Sequence, residues 1–419
     1  MSIIKKIFQS LSSSIKQYIL YRPFTSLIIG DCQMKILYGI NTNGQGHINR
    51  SRVFIDQLIQ DGHEVHVLLS GKEPPNYAFG LAPKTFHKPG IIDLYKNNKV
   101  DLNKTIQANL INIGDYLKAR RELLELHAKE NYDAIFSDFE PSSSTLGRKI
   151  GKPVICIDRH HAVFHPAVET SPGKGYDKIA MRIAINAMIP YYNHCYALDF
   201  TQSVETCDDI TLFPLVWKSE FNNYDVSLED HFVVYLSWFE QDELIGVFSK
   251  FPNETFHVYG FNKEKKIDNI HFKATSRDGF LKDLVSCKAV IGNAGFNLAW
   301  ETCLLGKLIW TIPLESQFEQ VTNAHRLQIL GQGYSSNNLS VEDFSDFLDW
   351  AEEKQYINKN TLTIKQPSDL LSLAYDFLEK YERENFPKPR QIKKGIKYDL
   401  NPWRMKQDIR KEVKSDEIN

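Results

Sequence analysis

The chain has 419 residues, with 50 Lys and Arg against 52 Asp and Glu for a formal charge of -2. At roughly 100–200 residues per domain the length excludes a single small module, and 42% hydrophobic with 24% charged residues excludes a disordered or collagenous chain. With no net basic field to hold phosphates, nucleic acid is not an expected partner.

No apolar run reaches the about 18 residues needed to span a bilayer, and no signal-peptide core opens the chain. The six cysteines are scattered, without a CxxC pair or zinc-finger spacing. A reduced, cytoplasmic protein is expected, and no metal site.

Residues 1–24 carry Ile4, Phe8, Leu11, Ile15 and Ile19 at helical spacing, with Lys5, Lys6 and Lys16 off that stripe. This basic amphipathic pattern fits either a helix lying on an anionic membrane surface or an extra helix packed on the first domain. From Met34 the pattern alternates: a strand over Lys35–Ile40, a helix over Arg50–Gln60 stopped by Gly62, a strand over Val65–Leu69, then strands at Ala134–Ser137 and Val154–Ile157 around a helix at Ser143–Ile150. A second series follows, with strands at Phe232–Leu236, Phe256–Tyr259, Ala289–Ile291 and Leu308–Ile312. The expected fold is α/β, two Rossmann-like domains facing across a cleft, divided as extension 1–33, first domain 34–215, second domain 216–380 and charged tail 381–419. The tail lysines and arginines read as a solvated face.

Two glycine turns hold the chemistry. After the first strand, Asn43-Gly44-Gln45-Gly46-His47 leads into a helix whose free N–H groups suit an anion. The spacing Gly44-x-Gly46-x-x-Asn49, and a second strand ending Leu69-Ser70-Gly71, disfavour a dinucleotide site, which wants GxGxxG and an acidic ribose partner. After Ala289–Ile291, the turn Gly292-Asn293-Ala294-Gly295 opens a second helix that carries Glu301 about two turns in, where a carboxylate suits ribose hydroxyls. Glu319 and Gln320 follow the next strand at the same sheet edge and suit sugar hydroxyls.

Gly295 to Glu301, Pro313 and Glu319-Gln320-x-x-Asn323-Ala324 resemble the donor-binding signature of GT-B glycosyltransferases, the group holding UDP-glucuronosyltransferases, plant UDP-sugar transferases and the peptidoglycan N-acetylglucosaminyltransferase. Met34–Gly39, Asn43–Arg50 and Ser137-Asp138-Phe139-Glu140-Pro141 resemble a bacterial and archaeal branch of the same group, and the likeness covers Met34 to Glu379. The resemblance implies that Gly295, Phe296 and Asn297 bind the nucleotide diphosphate, Glu301 the ribose, and Glu319 and Gln320 the donor sugar. It implies that His47 is the general base or an acceptor-side contact, with Asn43, Gly44, Gln45, Gly46 and Arg50 on the acceptor side. Asn293 stands where plant members carry histidine, and its amide is expected to reach a phosphate.

Displacement at the anomeric carbon needs charge stabilisation on the leaving diphosphate, which the helix N-terminus at Gly295–Asn297 supplies without a metal. His47 then takes the acceptor proton, and inversion is expected. Asp138 and Glu140 either orient His47 and contact the acceptor or cap the helix near Ser142–Ser144. Asp158, Arg159, His160 and His161 are set aside as a metal site, because adjacent histidines on a strand face opposite ways. The expected reaction moves a sugar from a UDP-sugar, with no other cofactor, to a lipid-linked or envelope glycan acceptor at the cytoplasmic membrane face. A sugar-nucleotide epimerase and a non-catalytic binding protein are the alternatives.

Overall fold

A computed structural model describes residues 33–96, 99–100, 102–172, 175–236, 238–314, 317–357 and 362–383. The amphipathic segment 1–24 and the basic tail beyond 383 lie outside the described residues. The first lobe is built on β1 (Lys35–Asn41), β2 (Glu64–Ser70), β3 (Lys84–Lys88), β4 (Ala134–Asp138), β5 (Val154–Asp158), β6 (His194–Leu198), β7 (Glu205–Cys207) and β8 (Ile210–Phe213). Their order is β3-β2-β1-β4-β5-β6-β8-β7, parallel except for the last pair. β1 is buried after its first residue, as a strand covered on both faces by crossover helices must be.

The second lobe repeats the plan with β9 (Phe232–Tyr235), β10 (Phe256–Tyr259), β11 (Lys265–Ile267), β12 (Ile270–Phe272), β13 (Ala289–Gly292), β14 (Ile309–Thr311) and β15 (Gly333–Ser335). The order is β11-β12-β10-β9-β13-β14-β15, with only the β11–β12 edge antiparallel. Leaving out the antiparallel edge strands, each sheet begins with the third, second, first, fourth, fifth and sixth parallel strands. In both, the chain reverses direction across the sheet between the first and fourth parallel strands. In sheets of this kind ligands bind beyond the strand ends at such a reversal, which points to the loops after β1 and β4 and after β13.

Helix α1 (Gln45–Gln60) begins five residues earlier than Arg50, with Gly44 as an extended N-cap. His47 therefore sits in its first turn rather than in a loop before it. Helix α2 (Pro141–Ile150) is capped by Glu140, and helix α3 (Phe296–Leu304) by Gly295. Helix α4 (Phe318–Ile329) follows β14. The closing helix α5 (Pro367–Arg383) departs from the expected second domain of 216–380. It packs back on the first lobe, where the Tyr375 hydroxyl donates to Asp61 Oδ2 at 2.7 Å and Tyr196 to the Leu373 carbonyl at 2.8 Å.

The lobes meet in one continuous core that includes Ile36, Phe200, Phe296, Trp300 and Leu371. A separate aromatic core fills the far side of the second sheet, with Phe232, Phe256, Trp310, Phe344 and Phe347.

Gly39 on β1 lies under α2, and a Cβ there would collide with the Ser143 side chain and come within 3.0 Å of Glu140 Oε2. Since overpacking a filled core costs about 1–3 kcal/mol, Gly39→Ala is expected to lower the thermal midpoint of the full chain. An unchanged midpoint in a melting curve would show that α2 can move away freely.

Candidate active site

Asp138 ends β4 at the centre of the first sheet and is fully buried. An isolated carboxylate there would be costly. Its oxygens are instead filled by Arg50, whose Nε donates to Oδ2 at 2.9 Å and Nη2 to Oδ1 at 2.5 Å, by the Ser51 hydroxyl at 3.0 Å, and by His47 Nδ1 at 2.8 Å. His47, Arg50 and Ser51 stand at i, i+3 and i+4 on α1, so one helix face delivers all three groups.

Arg50 Nη2 also lies 3.0 Å from His47 Nδ1. We assign the Nδ1 proton to the shorter contact with Asp138, since Arg50 already donates to the same carboxylate. Nε2 is then left as the basic nitrogen of a side chain that is 15% exposed. Burial lowers the His47 pKa below its ordinary value, with Asp138 opposing the shift. For Asp138 burial acts upward, but Arg50 and His47 outweigh it and hold the group ionised.

Phe139 follows in a left-handed conformation (φ 55), a costly geometry for a bulky residue. Its ring stacks on His160 at 4.1 Å, and His47 lies 5.3 Å from His160 and 5.6 Å from Phe139. His160 Nε2 reaches Glu319 Oε2 of the second lobe at 3.3 Å. Burial would raise the Glu319 pKa, but His160, with Arg159 and Arg50, brings it down to about 2. His160 thus joins the His47 side to a residue expected to hold the donor sugar. The reading that placed it on a strand misses this, because the chain leaves β5 at Asp158 and turns through a short 3-10 segment, His160–Phe164.

Across the cleft, Gly295 caps α3 with no side-chain partner, and the space where its Cβ would stand is open to 4 Å. The strained residue of this turn is Ala294 (φ 57). Asn297 Nδ2 donates to the Gly46 carbonyl at 2.8 Å, so the two glycine turns touch. Phe296 is buried between Phe200 and the Arg159 guanidinium, leaving its backbone rather than its ring for a ligand.

Several of the expected contact residues also hold the local structure. Glu140 accepts from the Ser142 and Ser143 amides at 2.8 and 2.5 Å and is fully buried, so it caps α2 and does not face an acceptor. Arg50, expected on the acceptor side, is buried on Asp138. Asn293 Nδ2 donates to the Ile312 carbonyl at 2.8 Å. Gln320 accepts from the Leu314 amide at 3.0 Å and donates to Gln317 at 2.7 Å, which fixes the turn after β14. Glu301 is buried between Lys218 Nζ at 2.7 Å and Arg277 Nη2 at 2.8 Å. Burial would raise its pKa, and these two cations bring it to about 2. In the first turn, Asn43 donates to the Ile91 carbonyl at 3.0 Å, while Gly44 and Gln45 are exposed and Gly46 half-buried.

The buried contact with Asp138 sets a measurable property of His47. By NMR titration its imidazole is expected to titrate below the usual value of about 6.5. Asp138→Asn removes the group that opposes the shift and leaves Arg50 uncompensated, so it is expected to lower the value further. A rise in that variant would refute the assigned proton position.

A family model for glycosyl transferase family 1 matches residues 34–351. No curated protein sequence matches the chain. Among solved structures, spinosyn forosaminyltransferase SpnP superposes with a TM-score of 0.57 at 12% identity, over 83% of this chain and 100% of that one. Phytolacca americana UGT2, complexed with UDP-2fluoro-glucose and pterostilbene, gives 0.56 at 14% identity over 83% and 100% of the two chains. CalG4, the calicheamicin glycosyltransferase, gives 0.51 at 14% over 85% and 100%. At these identities the likeness shows the fold, and the family model supplies the relationship: the chain is a GT-B glycosyltransferase belonging to glycosyl transferase family 1.

Proposed function

We propose that the protein transfers a sugar, with inversion and without a metal, from a UDP-sugar to a hydroxyl of a lipid-linked or envelope glycan at the cytoplasmic membrane face. The observation that carries the transferase chemistry is the His47–Asp138 pair set across from the open helix tip at Gly295, the two turns joined by Asn297 and Gly46.

The acceptor hydroxyl gives its proton to His47 Nε2 as its oxygen attacks the anomeric carbon, and the bond to the diphosphate breaks on the opposite face. Asp138 steadies the imidazolium that forms, in the manner of buried carboxylate–histidine pairs. Backbone N–H groups at Gly295, Phe296 and Asn297 meet the diphosphate and take up its growing charge, aided by the α3 dipole. Glu301, fixed by Lys218 and Arg277, has lone pairs left for ribose hydroxyls. Glu319 meets the donor sugar beside His160. Asn43, Gly44, Gln45 and Gly46 form the acceptor edge.

Support for an apolar acceptor comes from the helices Leu102–Ile111 and Ile113–Glu130, which expose Ile106, Leu110, Ile111, Ile113 and Leu117, Ile111 by 82%. Ile106, Leu110 and Ile113 line an apolar groove with Ile91 and Tyr116, and Ile91 is the residue whose carbonyl Asn43 holds. Monomeric proteins seldom leave such patches bare. Exposed Lys118 and Arg121 on the second of these helices suit an anionic surface.

The reading is tested by incubating the full chain with a panel of nucleotide sugars, with and without envelope lipid extract, and following nucleoside diphosphate release. Release that depends on the extract is expected. Interconversion of the sugar without release would identify an epimerase, and binding without turnover a binding protein. His47→Ala is expected to lower kcat by about 10²–10⁴-fold with donor affinity kept. Gly295→Val, which fits the chain but fills the open space at the helix tip, is expected to weaken donor binding while leaving the melting midpoint in place. In vesicle flotation with anionic lipid, deletion of residues 1–24 is expected to reduce attachment, and an unchanged deletion variant would sink the membrane part alone.

A further inference from the structure

Three clusters of side chains whose atoms could ligate a metal occur among the described residues. One is buried throughout and contains thiols: Cys156, Asp158, His161 and Cys195. We propose that these four side chains hold a zinc ion, a closed structural site behind the catalytic pair.

The local geometry follows from the sheet. Cys156 and Asp158 are two residues apart on β5 and so share a face. Cys195 is the register partner of Cys156 on the adjacent parallel strand β6. At Asp158 the chain turns, and the short 3-10 segment brings His161 back over the strand end. One ligand atom from each residue lies within 4.8 Å of all the others. Cys156 Sγ is 3.2 Å from Asp158 Oδ2 and 3.9 Å from His161 Nδ1, and Nδ1 is 2.7 Å from Oδ2. Zinc with sulfur at about 2.3 Å and nitrogen or oxygen at about 2.0 Å defines a tetrahedron with edges of about 3.3–3.8 Å. The distances bracket those edges, so shifts of roughly half an ångström admit the ion.

The surroundings suit a metal. Asp158 Oδ1 accepts the His161 backbone N–H at 3.1 Å, which turns Oδ2 inward as an outer-shell contact does for a ligating carboxylate. All four residues are at 0% exposure, packed among Ala162, Val168, Ile189, Ala197, Ile210 and Leu212. Two thiols in such a pocket are poor hydrogen-bond groups, and as thiolates they are soft ligands that select zinc over oxygen-preferring cations. Two thiolates, one carboxylate and a neutral imidazole around Zn²⁺ leave a charge of -1. Four protein ligands leave no position for water, so the ion is a clamp and not a reagent. What it clamps is the β5–β6 pair and the turn that carries His160 against His47.

The test uses the full chain made in cells grown with zinc, and separately with cobalt replacing zinc, so that the site fills during folding. Elemental analysis is expected to find roughly one zinc per chain, retained in Cys207→Ala, whose thiol lies outside the cluster, and lost in Cys156→Ala/Cys195→Ala. The cobalt-grown wild-type protein is expected to show tetrahedral d–d bands with thiolate charge transfer, a readout that needs no variant to fold. Wild-type protein purified with less than about a tenth of an equivalent of either metal, or with cobalt lacking thiolate bands, would overturn the proposal.

Discussion

The buried carboxylate of Asp138 is the constraint on which the first lobe's site depends. A charge placed at the C-terminal end of a central parallel strand has no water to solvate it, and it has to be met by donors from a neighbouring element. Helix α1 supplies them from a single face, which fixes the rotation of that helix about its axis and therefore the direction in which His47 points. The same contacts explain why α1 starts at Gln45: only with the first turn formed do residues 47, 50 and 51 stack on one side. Burial then lowers the imidazole pKa and keeps it neutral, the state a proton acceptor needs.

The second lobe solves a related problem with the opposite sign. Its helix tip at Gly295 presents amide donors to open space, while the charged residues around it are tied down. Glu301 is held by Lys218 and Arg277, and Arg277 also pairs with Glu220. Arg159 donates to Asn323, whose own amide donates to the Ala294 carbonyl, so a side chain of the first lobe braces the strained turn of the second. The interlobe contact from Asn297 to Gly46 leaves no room for a side chain at Gly46, where a Cβ would lie 2.8 Å from Asn297 Nδ2. Glycine there reflects the approach of the other lobe.

Much of this was legible in the sequence, because apolar runs of strand length alternate with helical periods and because sites gather where parallel strands end. The two glycine turns, His47, Asp138 and the position of Glu319 all follow from that logic. What the pattern could not show is which polar group meets which. The spacing from His47 to Arg50 and Ser51 was a signal for a shared helix face, but the partner stood 88 residues from Arg50. Lys218 lies 83 residues from Glu301, so the ion pair that fixes this carboxylate leaves no mark in the local spacing. Glu140 shows the reverse case: both roles were readable, and the amides of the next helix turn won because they are nearest. His160 and His161 were misread with the strand end, which falls two residues too early for them to alternate. Cys195 joins their neighbourhood through β-sheet register, a relation that local spacing does not encode.

The return of α5 has an architectural consequence. The described chain enters through β1 and ends on a helix bound to the same half of the molecule, so the second lobe is inserted between two crossings, with its own ends tied together where Leu215–Val216 pairs with Ile364–Lys365. Both ends of the described chain, β1 and α5, therefore lie on the first lobe. Along the chain the second lobe hangs from the first by these two crossings, and across space the shared core around Phe200, Phe296 and Trp300 holds the two together.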